Sequence, residues 1–208
     1  MFYKTEKTKA TFLRILVLLP AIVAALLVAQ RAAGLEKRLE PQLQSIADTQ
    51  SLSFDGREFV LKFKAENQSV PLFEYFLANE SPSEWTELVD FRIEPKVPRA
   101  NKPLDHAART AKLFKATYPL MPFAMYKNDK TGEALLDFLI LLPDKDGLEF
   151  NAFRFYAAGS DHRVLCFHYA KKLKGPSETK TYQDAKAEIV ALRQKILPII
   201  WQVPVYRP

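Results

Sequence analysis

A single cysteine, Cys166, rules out an intramolecular disulfide and every metal site built from paired cysteines. Glycine is scarce, with six in the chain. Neither a phosphate-cradling Gly-x-x-x-x-Gly-Lys loop nor a Gly-x-Gly-x-x-Gly dinucleotide fingerprint occurs. The Gly-x-Ser-x-Gly elbow of many hydrolases is also missing. His106, His162 and His168 form no His-x-His or His-x-x-x-His pair, so no cofactor or metal is expected. Long runs of one charge, internal repeats and low-complexity tracts are absent as well.

Fourteen prolines punctuate the chain, which suggests defined turns rather than flexible linkers. Fifteen Phe and eight Tyr in 208 residues suffice for a sizeable core. The formal net charge of +6 invites a nucleic-acid reading. Residues 1–34, however, hold Lys4, Lys7, Lys9, Arg14 and Arg31 against Glu6 and so carry +4 of it. The rest is nearly balanced, and its densest basic cluster is Lys171, Lys172 and Lys174. No nucleic-acid partner is expected on this ground.

The same N-terminal region points to a membrane. Four basic residues precede an apolar run from Ile15 to Ala29, interrupted by Pro20. As a helix that run spans roughly 22 Å, short of the ~30 Å hydrocarbon core and suited to the apolar region of a signal peptide. Ala32 and Gly34 offer small residues before a cleavage point, although Gln30 and Arg31 fit it poorly. An uncleaved anchor is the competing reading, with Thr11–Leu13 lengthening the span. Both readings place the remainder of the chain outside the cytoplasm, either free in the periplasm or tethered to the inner membrane. The expected division is a signal peptide or anchor over 1–34, a linker helix over 35–50 and one α+β domain over 51–208.

Alternation of apolar and polar residues predicts strands over 52–64 and 71–79, followed by an apolar stretch from Trp85 to Ile93. Leu104, Ala107, Ala111 and Phe114 mark one face of a helix over 103–117, closed by Pro119. Four apolar stretches then alternate with Gly-containing turn signals: Met121–Lys127, Glu133–Leu142, Leu148–Ala157 and Arg163–Ala170. They predict a four-stranded meander whose second strand is central, broken only by Asp137. Tyr182, Ala185, Ile189, Leu192, Ile196 and Ile199 step by threes and fours, a final helix over 181–201 that Pro198 kinks or ends. The expected fold is therefore α+β. Early strands and the meander make a mostly antiparallel sheet, two main helices pack on one face, and an N-terminal hydrophobic helix precedes them.

Candidate chemistry is sparse. Ser160, Asp161 and His162 are adjacent, and adjacency in a tight turn points such side chains apart. Cys166 and His168 share a strand face with Val164 and Ala170, the setting of a buried thiol and a structural histidine. Asp144, Asp146 and Gly147 match only part of a calcium loop. Glu80, Glu84 and Trp85 are the candidate ligand surface, with the indole as a stacking platform for a carbohydrate or small molecule.

The stretch Ala78-Asn-Glu-Ser-Pro-Ser-Glu-Trp-Thr-Glu-Leu-Val-Asp-Phe resembles a segment of uncharacterised exported bacterial proteins, in which an acidic loop leads into Trp-Thr-x-Leu-Val. The element order over 50–203 resembles the Mog1/PsbP-like α+β sandwich. The resemblance implies Gram-negative export and a binding or assembly role, and it transfers no functional residue. A non-enzymatic binding module with a protein partner is the expected function. Two alternatives stand beside it. One is an extracytoplasmic hydrolase with an acid or His168 site. The other is a subunit of a membrane complex that docks through the apolar tail from Leu197 to Tyr206.

Overall fold

Asp55 and Gly56 both take positive φ, 52° and 71°, the geometry of the tight turn that suits a two-residue hairpin. In the computed structural model this turn joins β1 (Ser51–Phe54) to β2 (Arg57–Ala65). The residues described are Ile46, 48–65, 70–96, 101–142, 147–158, 163–177 and 181–204. The N-terminal segment 1–34, most of the linker helix and residues 66–69, 97–100, 143–146 and 159–162 lie outside them. Among the described residues no helix is long and apolar enough to cross a membrane.

The remaining elements are β3 (Leu72–Leu77), β4 (Glu87–Ile93), α1 (Pro103–Thr117), β5 (Phe123–Lys127), β6 (Ala134–Leu141), β7 (Gly147–Ala158), β8 (Arg163–Lys174) and α2 (Tyr182–Gln202). Pro103 sits at the first helical position of α1, where an N–H would be unpaired anyway. Thr181 and Asp184 form a reciprocal cap at the start of α2. That helix runs through Pro198 to Gln202 instead of ending there.

The strands form one sheet in the order β1-β2-β3-β4-β8-β7-β6-β5, and every pairing is antiparallel. Two four-stranded meanders therefore meet at the β4–β8 seam. The chain leaves β4 at the centre, passes through α1, and re-enters the sheet at its far edge as β5.

This architecture corrects the expected fold class on two counts. The sheet has eight strands, because the stretch 52–64 is a hairpin and not one strand. The helices lie on opposite faces, not on one. Leu135, Ala152, Tyr156, Leu165, Phe167 and Tyr169 pack with Ile189, Ile196 and Ile200 of α2. Their strand neighbours Leu136, Phe153, Phe155 and Cys166 pack with Ala107 and Ala111 of α1. Adjacent strand residues point to opposite faces, so a sheet apolar on both sides needs a cover on each. The central strands show that composition: β6 is Ala-Leu-Leu-Asp-Phe-Leu-Ile-Leu, buried along nearly its whole length. The expected N-terminal hydrophobic helix falls in the segment outside the described residues.

Candidate functional site

Register brings four side chains into one row on the α1 face. Glu74 pairs with Asp90, Asp90 with His168, and His168 with Phe153. His168 stacks on the Phe153 ring at 3.9 Å. Its Nδ1 lies 2.5 Å from Asp90 Oδ2. Arg92, two residues along β4, donates from Nε to Asp90 Oδ1 at 3.1 Å. Asn151 donates from Nδ2 to Glu149 Oε1 at 3.1 Å, which turns its Oδ1 toward His168 Nε2 at 2.9 Å. Both ring nitrogens of His168 thus face acceptor oxygens.

The row's electrostatics follow from burial. Burial pushes the Asp90 carboxyl up, but Arg92 and His168 outweigh it, and Asp90 stays below the usual carboxylate range. At Glu74 the balance is reversed. Burial and the Asp90 charge raise it to about 7, against the pull of Arg92. Burial also pushes the Cys166 thiol well up, so it is no ready thiolate. A general base needs a nitrogen or oxygen free to meet its substrate. His168 offers neither nitrogen, and Glu74 is the one carboxyl of the row that exchanges a proton near neutrality.

Other polar clusters knit the fold. On the α2 face, Glu87 accepts from Arg57 Nη1 at 2.5 Å, Tyr169 Oη at 2.7 Å and Lys171 Nζ at 2.9 Å. Burial raises Glu87, but these donors prevail and hold it at about 2. Arg154 pairs with Glu133 at 2.8 Å and donates from Nη1 to the carbonyls of Ile200 (2.9 Å) and Val203 (2.7 Å), so it closes the C-terminus of α2. Asp137, the break in the second strand of the expected meander, pairs with Arg193 of α2. On α1, His106 is fully buried between Glu94 at 3.3 Å and Asn101 at 3.1 Å. Among the described residues no group of His, Cys, Asp or Glu is placed to hold a metal ion.

Glu80, Glu84 and Trp85 share the loop between β3 and β4 and engage different partners. The Glu80 carboxylate accepts from the Thr86 hydroxyl, while its carbonyl, with that of Ala78 at 2.7 Å, accepts from Lys62. Trp85 packs on Phe76, Leu88 and Ala170, and Lys172 Nζ stands 4.0 Å from its ring centroid. Glu84 is exposed and pairs through its backbone with Ser81. Of the basic cluster, Lys171 and Lys172 are engaged within the fold. The apolar tail is turned inward as far as Val203: Leu197, Ile199, Trp201 and Val203 pack against the main core. Residues 205–208 lie outside the described residues.

Sequence reading misses the polar row, although its signal is present. Asp90, Arg92 and Glu94 alternate with Val89, Phe91 and Ile93, a period of two that puts the charges on one face. It also misses where unpaired apolar surface lies. Phe123, Met125 and Tyr126 of the edge strand β5 are 38%, 40% and 42% exposed. Between β5 and α1 runs an apolar groove floored by Ala108, Ala111, Phe123 and Met125 and rimmed by Lys112 and Lys115.

These features define a class: a three-layer antiparallel sheet module whose inner charges are bonded to one another and one of whose edge strands carries exposed apolar side chains. The chain belongs to an uncharacterised protein family, whose model matches residues 46–199. Comparison with functionally characterised proteins finds no match, and comparison with solved structures finds none.

Proposed function

We propose that this protein is a binding or assembly module delivered across a membrane by its N-terminal segment, periplasmic or held at the inner membrane, with no chemistry of its own. One observation carries the reading. The ionisable groups a catalyst would use are engaged with each other inside the sheet, while the edge strand β5 carries three exposed apolar side chains, Phe123, Met125 and Tyr126. The resemblance read from residues 78–91 to exported bacterial proteins favours export and assigns no partner. Glu80, Glu84 and Trp85 stay in this reading as a secondary contact surface, through the exposed Glu84.

A second reading is favoured by a single pair. Glu74 protonates near neutrality beside an ionised Asp90, the separation that assigns acid and base in carboxylate enzymes. An extracytoplasmic hydrolase would use them so. Native mass spectrometry of the full chain, purified gently from its own host, separates the two. The binding reading expects a stoichiometric added mass. A bare chain that turns over ester, glycoside or phosphate substrates, and loses that activity in Glu74→Gln, contradicts it.

A further inference from the structure

The two edges of the sheet are not alike. At one end β1 is four residues long, carries Ser51 and Ser53, and buries Phe54 in the main core. Short, polar edges resist pairing with other chains. At the other end β5 shows Phe123 and Met125 on the α1 face and Tyr126 on the opposite one. Its pairing with β6 occupies one side of the ladder. On the other side alternate N–H and C=O groups point outward, as in any edge strand.

Charge selects what can pair there. Lys112 and Lys115 rim the groove, and no carboxylate lines it. Lys115 lies over the Phe123 ring at 5.2 Å, bringing its charge to the start of the strand. Lys127 ends the strand, paired with Asp129 at 2.6 Å in the following turn. A second copy pairing through β5 would set two such basic rims against each other, so self-association is opposed. An acidic segment meets no such repulsion. The floor also suits close approach, because Ala108 and Ala111 present only methyl groups there.

Resting on the binding-module reading, we infer that the β5 edge accepts an extended acidic segment of another protein as a ninth strand. Backbone hydrogen bonds to β5 hold it, apolar side chains lie over Phe123 and Met125, and carboxylates meet Lys112 and Lys115. At about 3.4 Å per residue the five residues of β5 match a partner stretch of similar length.

A phage-displayed library of random dodecapeptides, panned on the full chain, tests this. Enriched peptides should alternate apolar residues with Asp or Glu. A synthetic enriched peptide should bind at least about tenfold more weakly to the Lys112→Glu/Lys115→Glu variant, as the loss of two favourable contacts implies. Both lysines are exposed, and circular dichroism of the variant should match the parent. Enriched peptides that lack acids, or that bind the variant equally well, overturn the edge site and leave the binding reading standing. A library without any binder overturns the site, and the added mass in native mass spectrometry then judges the reading separately. Sedimentation of the full chain as a dimer broken by the same two changes also overturns it, in favour of a second copy.

Discussion

Glu74 and Glu87 are both carboxyls on the sheet, yet their surroundings drive them in opposite directions. Glu74, raised to about 7, holds its proton in the folded state where the unfolded chain has lost it. Its contribution is therefore complete below the ordinary value of 4.5 and is lost as pH rises through 7. Glu74→Gln should remove that loss. Between pH 5 and 8 the parent should lose about 1–2 kcal/mol relative to the variant in urea titrations, after allowance for partial exposure. Glu87, held at about 2, behaves inversely: its contribution is present above 4.5 and is lost as pH falls through 2. Glu87→Gln should cost roughly 2 kcal/mol at neutral pH, and the difference from the parent should shrink toward zero in strong acid. Arg154 makes a third case. Both it and Glu133 are almost fully buried, so Arg154→Ala takes a buried ion-pair partner from Glu133 and a donor from two helix-end carbonyls. A loss of about 3 kcal/mol in the same titration is expected. None of these partnerships is legible in the sequence, where Glu133 and Arg154 are merely two charges in apolar stretches.

At the scale of elements, much is legible. The helix expected over 103–117 is Pro103–Thr117, because Pro103 and Pro119 bound it locally. The stretches 121–127 and 133–142 contain β5 and β6, because the intervening Asn-Asp-Lys-Thr-Gly signals a turn. Gly132 takes φ 74° there, and a Cβ would meet open space. Gly132→Ala should thus show the backbone penalty alone, about 1 kcal/mol by thermal or urea unfolding, and should leave β6 in register. The Asp55-Gly56 turn is equally present in the sequence. It is marked as well by a change of phase, from Leu52 and Phe54 to Phe59, Leu61 and Phe63, which a single-strand reading passes over. Pro198 misleads in the other sense. Its missing N–H does not end α2, whose last turns pack Ile196 and Ile200 into the core and are closed by Arg154.

For the whole molecule, the sequence pattern names the parts and leaves their arrangement open. Helical periodicity marks which side of α1 and α2 is apolar, but not which sheet face each covers. That choice depends on β5 entering at the far edge after α1, a long-range consequence of the β4–β8 pairing. The same pairing decides that β5, and not β8, has an open side, and so where a partner can add. On the reading proposed above, this protein works by offering that edge. Amide hydrogen exchange of the full chain, with and without a library-selected acidic peptide, tests it most directly. The prediction is slowed exchange in β5, with α1 at Lys112–Lys115 also protected and β1 unchanged. Protection confined to the Trp85 loop, to β1 or to the Glu74 row would contradict it.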